Sequence, residues 1–217
     1  MTRLLWLNAL SWQGFPGRTG QGPVFRDLTW AIEAGERWAV VGPEGCGKST
    51  LLRLMAGLLR PDGGEVQRNG QPCATLPDRA AWVGVLFADP ALRFLTPVVW
   101  EEVALTPSFH GMTGERLQQR VSEALQWAGV PDHLHHCELA TLSAAQSARV
   151  AWAAVWAMQP QLWLLDEPGA QLSEAGEEEL AARLRPMTSV VFTSRMARAR
   201  RFADRLVRLE EGTLRFE

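Results

Sequence analysis

The chain has 217 residues, 47% of them hydrophobic and 21% charged, with a formal net charge of −2 at pH 7. That is enough apolar material to bury a core, while the near-neutral balance offers no basic footprint of the kind that nucleic-acid binding uses. The longest apolar run, Val150 to Met158, ends at Gln159 and Pro160, short of the roughly 20 residues a membrane-spanning helix needs, so any membrane contact is expected to run through partners.

At the N-terminus a single basic residue, Arg3, precedes an apolar stretch broken at Asn8, with no small-residue cleavage site behind it. Export is therefore not expected. Cys46, Cys73 and Cys137 are odd in number and lack CxxC spacing, which fits reduced thiols in a cytosol. The Gly/Pro-rich stretch from Gly14 to Pro23 reads as a surface loop between two early strands. Val24, Phe25, Leu28, Trp30 and Ile32 make a roughly alternating strand, and this opening region is expected to be antiparallel and β-rich. Glu36 to Val41 reads as a strand entering a glycine-rich turn, Ser49 to Leu59 as the helix that follows, and Trp82 to Phe87 as another strand.

A helical insert is expected around residues 90 to 135, where Leu117, Val121, Leu125 and Ala128 recur at amphipathic spacing behind a Thr113 cap. Ser143 can cap a helix running to Met158. Gln161 to Leu165 reads as a buried strand, apolar from Leu162 on and ending in Asp166 and Glu167, and Ser189 to Thr193 is a further buried strand. Arg195, Arg198, Arg200, Arg201, Arg205 and Arg208 read either as a solvated helix face or as a face near anionic lipid. Arg205 to Leu209 and Thr213 to Phe216, joined through Glu211-Gly212, close the chain as a hairpin. Short apolar runs alternating with helical patterns predict an α/β sheet with crossover helices.

Gly42, Pro43, Glu44, Gly45, Cys46, Gly47, Lys48, Ser49 and Thr50 match G-x-x-x-x-G-K-[ST] in full, between a predicted strand and a predicted helix. The motif predicts a phosphate loop for a nucleoside triphosphate such as ATP. Glycines let consecutive backbone N–H groups converge on phosphate, the helix N-terminus adds its dipole, and Lys48 adds a point charge. The Ser49 hydroxyl is expected on Mg²⁺. Asp166 and Glu167 emerge at the carboxyl end of a buried strand, where α/β ligands bind. Asp166 is expected to hold Mg²⁺, and Glu167 to orient or deprotonate the attacking water. His133, His135, His136 and Cys137 have no second ligand group at useful spacing and read as a surface loop.

Leu142-Ser143-Ala144-Ala145-Gln146, the trailing Arg149, and the strand Leu162 to Leu165 with Asp166-Glu167-Pro168 resemble the signature and magnesium-binding strand of the ATP-binding cassette (ABC) ATPases. Arg93 to Thr96 with Glu101 to Ala104 is similar to a segment of the energy-coupling-factor and cobalt-type importer ATPases. The resemblance covers nearly the whole chain. It implies one domain over 1–217, a phosphate-loop NTPase core with an N-terminal antiparallel β subdomain and a helical subdomain at about 90–158. It also implies two such domains packed head to tail, with ATP between the phosphate loop of one and Ser143 and Gln146 of the other. Phe15 is the expected adenine-stacking residue, with Trp12 as alternative, and Trp100 and Trp127 are candidate anchors for a transmembrane partner.

Several positions depart from the family pattern. Ala88 stands where a glutamine is expected, Ala144 and Ala145 replace the signature glycines, Ser173 replaces an aspartate and Ser194 a histidine. The expected protein is an ATPase subunit of an importer, peripheral on the cytoplasmic face of the membrane, with a non-identical ATPase partner and weakened hydrolysis at its own site. The alternative is a nucleotide-binding module that stabilises or senses through a complex. The chain ends just after the hairpin, so the extra C-terminal domain of many energy-coupling-factor ATPases is not expected.

Overall fold

The computed structural model describes residues 3–14, 25–73, 82–88 and 94–217. Among these, four strands form one sheet in the order β2-β1-β4-β5: β1 (Arg3–Trp12), β2 (Phe25–Glu33), β4 (Gly63–Arg68) and β5 (Gln71–Pro72). Every pairing in it is antiparallel, as the opening region leads one to expect. Six strands form the second sheet in the order β10-β9-β3-β8-β7-β6: β3 (Arg37–Val41), β6 (Val83–Leu86), β7 (Leu162–Asp166), β8 (Ser189–Thr193), β9 (Arg205–Glu210) and β10 (Thr213–Phe216). All of its pairings are parallel except the closing hairpin.

Trp38 to Val41 in β3, Leu162 to Leu165 in β7 and Val190 to Phe192 in β8 are unbroken apolar runs because both faces of the sheet are covered there, whereas β9 carries Arg205, Arg208 and Glu210. Val40, Leu162, Leu164, Val190, Phe192, Val207 and Leu209 face a core shared with the antiparallel sheet and with α1 (Lys48–Met55). Ala39, Val41, Trp163, Leu165 and Val191 face the opposite core, built with α2 (Val99–Phe109), α3 (Gly114–Ala128), α4 (Ala144–Ala157), α5 (Glu174–Leu184) and α6 (Met196–Phe202). Period-two alternation thus divides each strand between two cores.

Two differences from the sequence reading, at helix α1 and in the arginine run, have local causes. Helix α1 stops at Met55 rather than Leu59, because the Gly57 and Leu58 N–H groups turn back to the carbonyls of Leu54 and Arg53 at 3.0 and 2.8 Å, the hydrogen-bond pattern of a Schellman end. The strand expected from Val24 is described from Phe25 onward, and the loop from Gly14 to Pro23 lies outside the described residues apart from Gly14. The arginine run is not a uniformly solvated or lipid-facing surface. Arg198 is buried, Arg201 pairs with Glu174 and Glu177, and Arg205 pairs with Glu36 while lying over Trp38.

Trp127, proposed above as an anchor, belongs to the core, with its ring centroid 6.0 Å from Trp156 and 5.7 Å from Trp163. Trp100 is half-buried, with its ring centroid 5.5 Å from that of His136 in a tilted arrangement. Among the described residues of the insert, the large exposed apolar side chains are instead Leu95 and Phe109. No helix among the described residues is long and apolar enough to cross a membrane.

Candidate functional site

Strands β3, β7 and β8 end side by side. Val41 lies opposite Thr193, Asp166 lies opposite Phe192, and the Gly42 N–H bonds the Thr193 carbonyl at 3.4 Å. One sheet edge therefore carries the start of the glycine-rich loop, both carboxylates and the Thr193-Ser194 turn. This is the edge where ligands of α/β sheets bind.

The loop has the shape that its sequence predicts. Gly45 and Gly47 have φ of 79° and 105°, values that side-chain-bearing residues rarely adopt, and Gly47 occupies the N-cap of α1. Lys48 is buried, and its Nζ donates to the carbonyls of Gly42 and Pro43, each at 2.8 Å. The lysine thus already lies across the mouth of the loop. Ser49 Oγ donates to Asp166 Oδ2 at 2.7 Å, joining residues 117 positions apart. A hydroxyl, a carboxylate and a ring of backbone N–H groups form a hard-oxygen and anion-binding set, which fits Mg²⁺ and a triphosphate.

The two carboxylates sit in opposite electrostatic settings. Burial pushes Asp166 above the ordinary carboxylate range, and the neighbouring charge of Glu167 adds to this, while the Ser49 hydrogen bond and Lys48 act against it. A divalent cation would reverse that balance. Glu167 also feels burial most, but the Ser194 N–H, Thr193 Oγ1, Arg198 and Ser194 Oγ together hold it below its ordinary value. Glu167 has φ of 47°, a conformation that costs a non-glycine residue on the order of 1–3 kcal/mol. Its N–H bonds the Phe192 carbonyl at 2.8 Å, and its side chain is turned onto the end of β8.

The remaining expected site residues are dispersed. Ser143 and Gln146 form a complete capping box at the start of α4: the Gln146 N–H donates to Ser143 Oγ at 3.3 Å, and the Ser143 N–H donates to Gln146 Oε1 at 2.8 Å. S-x-x-Q is a capping signature in its own right, so a helix-start role is readable in the sequence beside the contact with a partner's nucleotide that the resemblance implies. Ser143→Ala is expected to cost about 1 kcal/mol in a denaturant melt, the usual worth of an N-cap hydroxyl; an unchanged midpoint would show that the cap contributes nothing.

Ser173 similarly caps α5, accepting from the Gly176 N–H at 3.3 Å. Arg149 is a strut: it donates to the Ala128 carbonyl at 2.8 Å and to Glu179 at 2.7 Å, tying the end of α3 to α4 and α5. Phe15 lies outside the described residues. Trp12, its alternative, is buried at the end of β1 against Phe25 and offers no open ring face for stacking. His135 lies 3.2 Å from the Val130 carbonyl, and among the described residues no group of three or more His, Cys, Asp or Glu is arranged to hold a metal.

Sequence reasoning missed Thr193 and Arg198, both of which touch Glu167. Thr193 was legible as the last residue of a buried strand beside the carboxylate strand. Arg198, 31 positions away in the chain, was hidden within a run of arginines.

The fold and the loop define a phosphate-loop α/β domain with an antiparallel sheet and a helical insert. The model of the ABC transporter family matches residues 25–170, and the chain belongs to that family. It is 33% identical over 208 residues to an energy-coupling factor transporter ATP-binding protein, EcfA2, of Methanospirillum hungatei, covering 88% of this chain and 50% of that protein, so the chain spans half the length of that relative. Among solved structures it resembles cbiO1 of Clostridium perfringens, described as part of the ABC transporter complex cbiONQ, at a TM-score of 0.84 and 25% identity over 99% of this chain and 88% of that one. It also resembles a dimeric ATP-binding cassette in a post-hydrolysis state bound to ADP and Pi, at a TM-score of 0.87 and 26% identity over 99% and 98% of the two chains.

Proposed function

We propose that this chain is the ATP-binding subunit of an ABC importer, acting on the cytoplasmic face of a membrane. In this reading one domain spans 1–217, with a helical subdomain at about 90–158. The observation that carries it is the convergence of the glycine-rich loop, the buried Lys48 and the Ser49–Asp166 pair on one sheet edge. Lys48 would exchange its two loop carbonyls for the outer phosphates, and backbone N–H groups from Gly45 to Thr50 would take the rest of the charge. Ser49 and Asp166 would hold Mg²⁺, whose chemical contribution is to neutralise charge on the phosphate oxygens. Glu167 would accept the proton of the water whose oxygen attacks the γ-phosphorus, while the bridging oxygen leaves with ADP.

Ser143 and Gln146 open a helix whose N-terminus would face the nucleotide of a second ATPase subunit in a head-to-tail pair. The likeness to EcfA2 and to a member of the cbiONQ transporter complex supports partners in a membrane transporter, and Ala88, Ser173 and Ser194 support a non-identical ATPase as the second subunit. Ser194 in place of histidine, and the capture of Glu167 by neighbouring donors, support slow hydrolysis at this chain's own site. The same capture favours, as a second reading, a regulatory module that binds nucleotide and turns it over little.

The test of nucleotide binding is a melting experiment with ATP and Mg²⁺. A ligand present at 100 times its Kd stabilises by about 2.7 kcal/mol, and Lys48→Ala is expected to remove most of that gain. A wild-type melt that does not respond to millimolar MgATP would remove the central claim.

A further inference from the structure

Glu167 is held by more donors than a general base can spare. Its Oε2 accepts from Thr193 Oγ1 at 2.9 Å and from Arg198 Nη1 at 2.7 Å. Its Oε1 accepts from the Ser194 N–H at 2.7 Å and from Ser194 Oγ at 3.1 Å. An ionised carboxylate offers about four acceptor positions, and a base must keep one within hydrogen-bond reach of the water it deprotonates. Four donors leave none. Three of the four belong to the end of β8, immediately beside β7. The fourth comes from α6 and is the only charged donor, hence the strongest.

Arg198 is itself tightly held. It is 6% exposed, and its Nε and Nη2 donate to Glu177 Oε1 at 3.1 and 2.6 Å. Glu177, on α5, also accepts from Arg201 at 2.7 Å, and Arg201 reaches Glu174 at 2.7 Å. The ladder passes under the turn after Glu167 because residue 169 is glycine: a Cβ there would lie 2.7 Å from Glu177 Cγ. An alternating chain of five charges, Glu167, Arg198, Glu177, Arg201 and Glu174, therefore connects the sheet edge to α5 and α6.

We infer that Arg198 is a positioning residue that parks Glu167 away from the attacking water, so that hydrolysis at this chain's own site waits on release of the Arg198–Glu167 ion pair. The inference rests on the reading of Glu167 as the general base. It differs from the effect of the missing histidine, because it assigns the slow step to a contact that is present rather than to one that is lost. Release need not dismantle the fold: Glu177 keeps Arg201, and Glu167 keeps Thr193 and Ser194.

The test is steady-state ATP hydrolysis by the purified full chain, with kcat and KM measured for the wild type, Arg198→Met, Arg198→Lys, Glu167→Gln and the double variant Arg198→Met/Glu167→Gln. Arg198→Met should raise kcat about tenfold, the factor that one charge-assisted hydrogen bond is worth, with KM for ATP moving far less. Arg198→Lys, which keeps a cation beside Glu167, should show a smaller gain. The double variant should be as slow as Glu167→Gln, because the gain passes through the carboxylate. Should Arg198→Met melt below the assay temperature, Arg198→Gln, neutral and still able to donate to Glu177, takes its place with the same expected sign. A kcat that stays level or falls on removal of the arginine overturns the inference, as does a gain that survives in the double variant. A Glu167→Gln variant as fast as the wild type overturns both the inference and the general-base reading beneath it, whereas a slow Glu167→Gln with no gain from Arg198→Met overturns the inference alone.

Discussion

Glu167→Gln is expected to lower ATP turnover by roughly 100-fold or more, the scale on which a positioned general base contributes, while MgATP still raises the melting temperature. The substitution keeps the shape of the side chain and removes its capacity to take a proton. Whatever turnover the wild type has must pass through molecules in which Glu167 has an oxygen free, so the loss should appear even against a slow parent. The parent rate itself is expected to lie well below the roughly 10 per second typical of enzymes, given Ser194 and the four-donor capture. Phosphate release measured at saturating nucleotide checks both values. A Glu167→Gln rate within twofold of the wild type would remove Glu167 from the chemistry.

Trp163→Ala is expected to destabilise the fold by about 3–5 kcal/mol, the range for deleting a large buried aromatic side chain. Trp163, the second residue of β7, is 2% exposed, and its ring lies 5.7 Å from that of Trp127 and 6.0 Å from that of Trp152. Those partners sit on α3 and α4, so this stack joins the helical insert to the strand that ends in Asp166 and Glu167. Against a total stability on the order of 5–15 kcal/mol, such a loss is large. Urea unfolding at constant slope reads it directly, and Trp163→Phe should recover much of it. A cost below about 1 kcal/mol, the ordinary size for an arbitrary substitution, would show that the helices and sheet are held together elsewhere.

How much of this was legible differs from element to element. Strands β7 and β8 stand out in the sequence because both faces are buried and the runs Leu162 to Leu165 and Val190 to Phe192 are wholly apolar up to the functional end. The range of β1 was not set out because its alternation is interrupted: Ala9 has φ of 48° and the pairing register shifts between Leu7 and Leu10, which breaks the period-two pattern. Strand β4 carries one buried residue, Val66, among polar ones, so it is defined by pairing with β1 and not by its own pattern. Helix α5 begins with a run of glutamates that reads as a solvated surface, yet Glu177 within it is buried against Arg198.

The sequence by itself determined the phosphate loop, the strand before it, the helix after it and the pair of carboxylates on a buried strand. These are local matters, governed by glycine conformation, apolar periodicity and the spacing of a few side chains. Only the tertiary structure decided that Ser49 meets Asp166 across 117 positions, that Ser194 fills part of the space around Glu167 with its own hydroxyl, and that one arginine of six is withdrawn from solvent to close on that carboxylate. Whether a charge is free or captured depends on which distant elements bury it and pair it, and desolvation and pairing are properties of the packed chain that no local pattern encodes.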